Sequence, residues 1–256
     1  MSYKFKNAIV RKPSKSIINA ISSKNIKPDY QKICNEHKKY IETLISLKIN
    51  VFTLGALEDY PDSVFIEDPA LAYDDHCILL RPGTKSRFGE SKILSRDIKN
   101  YFKKLLFTEN GKIEGGDILR INKHFIIGLS DRTNKEGAEN LLYLLTSLGA
   151  TVDISSTPKD ILHFKTDCSL IDDHTILVTK KMKKKLNIFK KKYNIIEVPE
   201  GEEIAANSIR INDHLLIPEG FKKTEDLLSK NYNLILLKVS EISKVDAGLS
   251  CMSIRW

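Results

Sequence analysis

A short pattern that recurs four times constrains the fold of this chain more than any other feature of its sequence. In each copy an apolar stretch is followed by two turn-forming residues, a histidine and a second apolar stretch. The four histidines are His76, His124, His174 and His214. Asp and Asn tolerate the positive φ angles of tight turns, so each copy predicts a β-hairpin. Its repetition predicts a fold built from one supersecondary unit.

The sequence between successive hairpins is also regular. After the second hairpin, apolar residues recur at helical spacing between Ala138 and Leu148, and Gly149 is expected to cap that helix. A short strand, Thr151–Ile154, follows. The same order of helix and strand follows the third and fourth hairpins. The repeated unit is therefore predicted to be β-β-α-β.

The two ends of the chain supply a fifth unit. The last residues, Cys251–Trp256, resemble Asn207–Ile211 but have no hairpin partner beside them in the sequence, whereas Lys6–Arg11 can provide one. A ring closed by strands from both termini leaves no exposed sheet edge. We therefore predict an α/β fold, a five-bladed pseudo-symmetric α/β propeller of β-β-α-β repeats, formed by residues 1–256 as a single domain.

The net charge of +8 raises the question of nucleic-acid binding. Much of it lies in Lys180–Lys192, where Met182, Leu186 and Phe189 recur at helical spacing. This spacing predicts a helix with a solvated lysine face, and no nucleic-acid-binding motif accompanies it, so we expect no nucleic-acid partner. The sequence has no apolar run of the ~18–20 residues that a membrane helix needs and begins with no signal-peptide stretch. A cytoplasmic protein without membrane association is expected.

The cysteines and histidines give few candidates for chemistry. Four scattered cysteines form no C-x-x-C pair, so neither a metal site nor a disulfide framework is predicted. The four hairpin histidines share one structural position, and His37 lies on the apolar stripe of a predicted helix. Only His163 is left over.

Reactive side chains collect just ahead of the first strand of several units. Asp62 and Glu114 precede two of these strands, His163 precedes a third, and Cys251 lies at the start of the last. Equivalent positions in a ring of blades converge on its axis. These residues are therefore expected to meet at one end of a central channel.

Seven sequence motifs that follow one another along the chain resemble those of the dimethylarginine dimethylaminohydrolase family. That family belongs to the five-bladed guanidine-modifying superfamily, which also contains arginine deiminases and amidinotransferases. The motifs are Pro61–Pro69, Arg81–Glu90, Glu114–Asp117, Arg132–Gly137, Leu162–Thr166, Ala205–Asn207 and Asp246–Arg255. Any one of them alone would be weak, but their shared order is specific.

The resemblance implies a catalytic set. Cys251 matches the nucleophile of the family, His163 its general acid and base, and Glu114 the carboxylate that orients the site. No cofactor and no metal is implied. Residues 18–28 fall where the family has a mobile lid.

The resemblance also implies a set of substrate-binding residues. Asp62 and Asp68 match carboxylates around the guanidinium, and Glu67, Arg87 and Arg132 match groups that bind the amino-acid end. Backbone contacts are expected near two further residues, Ile21 and Val245. Two departures from the family pattern, Ala247 for a common glycine and Ile21 for a usual leucine, put little in doubt beyond substrate fit.

The implied reaction is hydrolysis of Nω-methylated arginine to citrulline and a methylamine through a covalent thiouronium on Cys251. Two alternatives stay open: an arginine deiminase or other guanidine-modifying enzyme on the same scaffold, and a binding protein that keeps the fold without the chemistry. The sequence lacks the helical insertion typical of arginine deiminases, which favours the methylarginine hydrolase. The expected partner is a small-molecule substrate. A homodimer is a hypothesis that no sequence pattern supports.

Overall fold

The computed structural model describes residues 2–186 and 193–256, and the chain forms five three-stranded sheets within those ranges. Four sheets are built from consecutive strands. Their bounds are β3 Ala70–Tyr73, β4 His76–Leu79 and β5 Lys104–Phe107; β6 Ile118–Ile121, β7 His124–Leu129 and β8 Thr151–Ser156; β9 Cys168–Leu170, β10 Thr175–Val178 and β11 Asn194–Glu197; β12 Ile209–Ile211, β13 His214–Pro218 and β14 Asn233–Leu237. In each sheet the first two strands pair antiparallel and the second and third pair parallel.

A helix connects the two parallel strands of every sheet, which confirms the predicted β-β-α-β unit. The helices are α1 Tyr30–Ser46, α2 Glu90–Ile98, α3 Lys135–Ser147, α4 Lys180–Leu186 and α5 Lys222–Leu228. The Asn134 side chain caps α3 by accepting a hydrogen bond from the Gly137 N–H at 3.0 Å, and Gly149 follows its end with a φ of +80°. On the inner face of α3, Ala138, Leu141 and Leu145 are fully buried.

The fifth sheet joins the two ends of the chain. It contains β15 Ile254–Arg255, β1 Asn7–Arg11 and β2 Asn50–Leu54 in that order, with β15 antiparallel and β2 parallel to β1. The predicted five-bladed pseudo-symmetric α/β propeller is confirmed, including the terminal blade made from both ends. The Cys251 carbonyl accepts the Glu67 N–H at 3.2 Å, which brings the turn that carries Cys251 beside the loop before β3.

In three of the four repeats the hairpin turn contains an Asp or Asn with a positive φ angle, as predicted. Asp74, Asn122 and Asn212 each adopt a positive φ between the paired strands. The third hairpin is closed differently, because the Asp172 carboxylate accepts the His174 N–H at 2.8 Å and bridges a wider loop.

The lysine-rich segment is helical where it is described. Met182 of α4 is fully buried against Ile176 and Val178, as its spacing predicted. The expected partner on that face, Phe189, and Lys190–Lys192 lie outside the described residues. Among the helices of the described residues, none has the length and apolarity needed to cross a membrane.

Turns of 3₁₀ helix precede the first strands of four blades and position the side chains of interest. They comprise Gly115–Asp117 before β6, Phe164–Thr166 before β9, Glu203–Ala206 before β12 and Ser250–Met252 before β15. Because the blades are quasi-equivalent, these turns occupy corresponding places around the propeller.

Candidate active site

A buried histidine and a buried carboxylate form the centre of the candidate site. Glu114 and His163 each directly precede one of the short turns, in neighbouring blades. The Nε2 atom of His163 lies 2.6 Å from Oε2 of Glu114. Glu114 is 0% exposed and His163 is 7% exposed. The two residues that the resemblance paired are therefore brought into direct contact.

The electrostatic surroundings favour a protonated His163. Burial, the largest single influence, lowers the pKa of His163. The charge of Asp68, the Glu114 hydrogen bond, and the charges of Asp117 and Glu114 outweigh it and raise the pKa to about 9. At neutral pH the ring is therefore an imidazolium paired with a carboxylate.

Glu114 shows the complementary shift. Burial raises its pKa, but the hydrogen bond and the positive charge of His163, together with Arg87 and Arg132, lower it to about 2. Its second carboxylate oxygen, Oε1, accepts the Gly83 N–H at 2.8 Å and lies 3.5 Å from Nη1 of Arg132. Glu114 is thus held as an anion by groups on both sides.

Asp117 also holds Glu114 and His163 in place. In the sequence it was named only as the last residue of a motif. It is completely buried. One of its carboxylate oxygens accepts the Phe164 N–H at 2.8 Å, and the other accepts the Ser130 hydroxyl at 2.7 Å. Asp117 therefore ties the turn after His163 to the blade that carries Glu114, which fixes the relative positions of the two.

The candidate nucleophile lies in the 3₁₀ turn before β15. The Cys251 side chain is half-buried, and its Sγ accepts the Gly248 N–H at 3.5 Å. Asn207 fixes this turn, because its Oδ1 accepts the Ser250 N–H at 3.1 Å and its Nδ2 donates to the Lys165 carbonyl at 3.1 Å. A residue quoted only within a motif thus links the turns of Cys251 and His163.

The thiol of Cys251 is neutral in the free protein. Burial is the largest cause that raises its pKa, and the charges of Glu67 and Asp68 add to it. The Gly248 N–H and the charge of Lys165 oppose these effects without cancelling them, and the pKa is raised to about 12. A cation bound among the carboxylates would reverse their contribution and favour the thiolate.

Asp62, Glu67 and Asp68 are buried in the loop before β3. Oδ1 of Asp62 accepts the Ile21 N–H at 3.2 Å, whereas its buried Oδ2 has no partner among the described residues. Oε1 of Glu67 forms ion pairs with Lys165 at 2.6 Å and Arg255 at 2.8 Å. Burial is the main cause of a raised pKa at Asp62, which marks a carboxylate without a sufficient countercharge.

Arg87 has partners that the sequence did not anticipate. Its Nε and Nη2 donate to the two carboxylate oxygens of Glu90 at 3.0 and 2.8 Å, and its Nη1 lies 2.5 Å from Asp68. Nη2 also donates to the carbonyls of Asp62 and Phe65. A direct contact with substrate stays a prediction.

Arg132 is less fully engaged than Arg87. Its Nη1 donates to the Thr84 hydroxyl at 3.1 Å and lies near Glu114. This leaves further guanidinium N–H groups for a ligand, which is compatible with the role implied by the resemblance.

The segment 18–28, expected to form a lid, is attached to the loop that contains Val245. The Ser22 hydroxyl donates to the Lys244 carbonyl at 2.5 Å, and the N–H and hydroxyl of Ser23 donate to the Asp246 carboxylate at 2.5 and 2.8 Å. With the contact between Ile21 and Asp62, these bonds place the segment against both sides of the site. Its mobility stays a prediction.

Ligand atoms of Asp68, Glu114 and His163 lie within 4.8 Å of one another, a spacing that a metal ion could bridge. However, His163 and Glu114 are bonded to each other and Asp68 is paired with Arg87. The arrangement therefore suits proton transfer by His163.

Comparisons with known proteins agree with this geometry. A family model for arginine deiminase matches residues 56–215. The N(G),N(G)-dimethylarginine dimethylaminohydrolase of Pseudomonas aeruginosa is 35% identical over 98% of this chain and 100% of its own length, and that of Streptomyces coelicolor is 26% identical over 98% and 96%. The crystallised P. aeruginosa enzyme, as a Cys-to-Ser variant complexed with citrulline, superposes with a TM-score of 0.94 at 34% identity over 99% of this chain and 100% of that chain.

Proposed function

Because this chain belongs to the dimethylarginine dimethylaminohydrolase family, we propose that it hydrolyses Nω-methylated arginine to citrulline and a methylamine. The observation that carries the proposal is the thiol of Cys251, whose pKa is raised chiefly by burial and further by the charges of Glu67 and Asp68. A guanidinium stays protonated at neutral pH, so a bound substrate supplies a positive charge that favours the thiolate form of Cys251.

Binding of the guanidinium is assigned to Asp62 and Asp68. The free Oδ2 of Asp62 and the carboxylate of Asp68 would accept charge-assisted hydrogen bonds from the ω-nitrogens and align the central carbon with Cys251. The same cation would lower the pKa of the thiol and favour its thiolate. Substrate binding and activation of the nucleophile are therefore one event.

The chemical steps use Cys251 and His163. The thiolate adds to the guanidinium carbon, and protonated His163 donates its proton to the departing nitrogen, which releases methylamine or dimethylamine. Neutral His163 then takes a proton from water as the water attacks the thiouronium carbon. Cleavage of the carbon–sulfur bond restores the thiolate, and loss of the remaining hydroxyl proton to solvent yields citrulline.

The amino-acid end of the substrate is assigned to Arg132 and Arg87, with Glu67 and the backbone near Ile21 and Val245. The planar fork of Arg132, whose Nη1 lies 3.5 Å from Glu114, suits a carboxylate. Segment 18–28 would close over the bound amino acid as a lid.

The proposal has three further parts. Residues 1–256 form one catalytic domain, the protein acts in the cytoplasm, and it assembles as a homodimer. The match of the P. aeruginosa enzyme along 100% of its own length supports the single domain. Size-exclusion chromatography with light scattering tests the dimer, for which a monomeric mass is the contrary result.

An arginine deiminase is the second candidate, because the matching family model carries that description. Citrulline release from asymmetric dimethylarginine, monomethylarginine and arginine, assayed in parallel with Cys251→Ser as control, separates the two. We expect faster release from the methylated substrates and none from the variant. Release from arginine alone would replace the proposed activity with the deiminase.

A further inference from the structure

A second cavity lies directly behind the turns that carry Glu114 and Cys251. We call it the rear cavity; it has a volume of about 120 Å³ and is lined in part by Ser2, Arg120, Lys165, Ser169, Arg210 and Arg255. Gly115 and Ser250, the neighbours of Glu114 and Cys251, also line it. The candidate active site uses none of its arginines.

The lining of the rear cavity is strongly cationic. Four basic side chains, Arg120, Lys165, Arg210 and Arg255, face a single carboxylate, Glu67. Glu67 is already shared by Lys165 and Arg255 through ion pairs of 2.6 and 2.8 Å. The charges of Arg120 and Arg210 are therefore not neutralised by any acidic residue of the lining.

Arg120 and Arg210 occupy equivalent positions in two repeats and are held in the same way. In each, Nε donates to the carbonyl two residues further on, Asn122 at 3.0 Å and Asn212 at 2.9 Å. The Arg120 guanidinium stacks 4.7 Å from the ring centre of Tyr73, and that of Arg210 lies 5.3 Å from Tyr3. These contacts orient both groups before any ligand arrives.

The remaining N–H groups of the two arginines have few protein acceptors. Nη2 of Arg120 lies 3.5 Å from Asp74, a long contact with a mostly exposed carboxylate, and Nη1 of Arg210 donates to the Ile171 carbonyl at 3.3 Å. Burial, which is the main cause, lowers the pKa of Arg120 despite Asp74. A half-buried guanidinium with too little countercharge is stabilised by an anion.

A hydroxyl group of the lining is also without a partner. Ser169 is 6% exposed, and its Oγ is buried with no hydrogen-bond partner among the described residues. Buried polar groups are nearly always hydrogen-bonded in folded proteins. This second, independent observation indicates that a polar ligand completes the lining.

We propose that the rear cavity binds a small tetrahedral oxyanion of the size of inorganic phosphate. Its acceptor oxygens match the guanidinium groups of Arg120 and Arg210 and the hydroxyl of Ser169.

The test is calorimetric titration of the whole protein with sodium phosphate, against sodium chloride at equal ionic strength. Sodium sulfate, titrated in parallel, is expected to bind the same site because it shares the tetrahedral shape. We expect one saturable site for phosphate in the wild type. Arg120→Gln and Arg210→Gln should each weaken it about tenfold or more, because each removes charge-assisted hydrogen bonds. Arg96→Gln, which removes an exposed arginine of α2, should leave it unchanged.

Two further variants keep the test decisive. Arg210→Lys retains the charge, so it should bind phosphate more tightly than Arg210→Gln and stands in if a glutamine variant fails to fold. Cys251→Ser should bind phosphate as the wild type does, because the site is separate from the nucleophile. Absence of saturable binding, equal affinity in the glutamine variants, or loss of binding in Cys251→Ser would each overturn the proposal.

Discussion

The Nε2 atom of His163 is bonded to Glu114 at 2.6 Å, which leaves Nδ1 as the ring nitrogen that can exchange a proton with substrate. Gly116 lies on that side of the ring. A Cβ atom built on Gly116 would fall 2.8 Å from Nδ1 and 2.7 Å from Cγ of His163. The Glu-Gly-Gly sequence therefore supplies the carboxylate of Glu114 and, through the missing side chain of Gly116, the space that the His163 ring occupies.

The first prediction concerns this space. Gly116→Ala should displace the His163 ring and lower kcat by about 10²-fold or more, the usual contribution of general acid–base catalysis. The matched control is Gly55→Ala, because a Cβ at Gly55 meets nothing within 4 Å. Steady-state kinetics with dimethylarginine measure the effect. A wild-type kcat in Gly116→Ala would show that the position of the ring is not critical.

The second prediction concerns pH. Burial lowers the pKa of His163, but the charge of Asp68 and the hydrogen bond to Glu114 help to raise it to about 9, so the general acid stays protonated up to that pH. Glu114→Gln removes the charge but not the shape, and the pKa of His163 should fall. The alkaline limb of kcat, which reports the substrate complex in which the thiolate has already formed, should consequently move to lower pH by at least about one unit. An unmoved alkaline limb would assign it to another group.

The third prediction separates the two arginines. Arg87→Met leaves Glu90 and Asp68 buried without their partner, and breaking such a network costs about 3–5 kcal/mol. Arg132→Met should instead raise KM with a smaller loss of stability, because Arg132 has fewer protein contacts. Urea unfolding and KM are measured for both variants. Unchanged stability with a raised KM in Arg87→Met would make Arg87 a substrate ligand alone.

The fourth prediction concerns the free thiol. Because the pKa of Cys251 is raised to about 12, its alkylation by iodoacetamide should keep accelerating beyond pH 9 in the absence of substrate. A Cys34→Ser background removes the other half-buried cysteine, and burial raises the pKa of both Cys77 and Cys168. A rate plateau at or below about pH 7 would mean that the free protein already holds a thiolate.

Most of the fold could be predicted from the sequence because the residues that form the turns and helix ends of each repeat are recognisable by type. Asp74, Asn122 and Asn212 mark hairpin turns through their tolerance of positive φ, and Gly149 marks a helix end for the same reason. The third turn departed from the pattern because a side-chain bond of Asp172 replaced the tight turn. Such a choice between two local solutions is not visible in the residue types alone.

The site was predictable in outline, and the partners of its members were not. Equivalent positions ahead of the first strands indicated that Glu114 and His163 would converge. The bidentate bond from Arg87 to Glu90, and the link that Asn207 makes between two turns, depend on distances between blades. The bond from Arg87 to Glu90 had one signal in the sequence, because the two residues are three positions apart at the start of a helix.

Covalent attachment of substrate to Cys251 is the central claim, and mass spectrometry of acid-quenched protein tests it most directly. Wild-type protein quenched during turnover of dimethylarginine should carry the thiouronium on a fraction of its Cys251 side chains. The account predicts a mass increase located on the peptide that contains Cys251, and none in Cys251→Ser. Citrulline release by His163→Ala at the wild-type rate, or an adduct on any other residue, would contradict it.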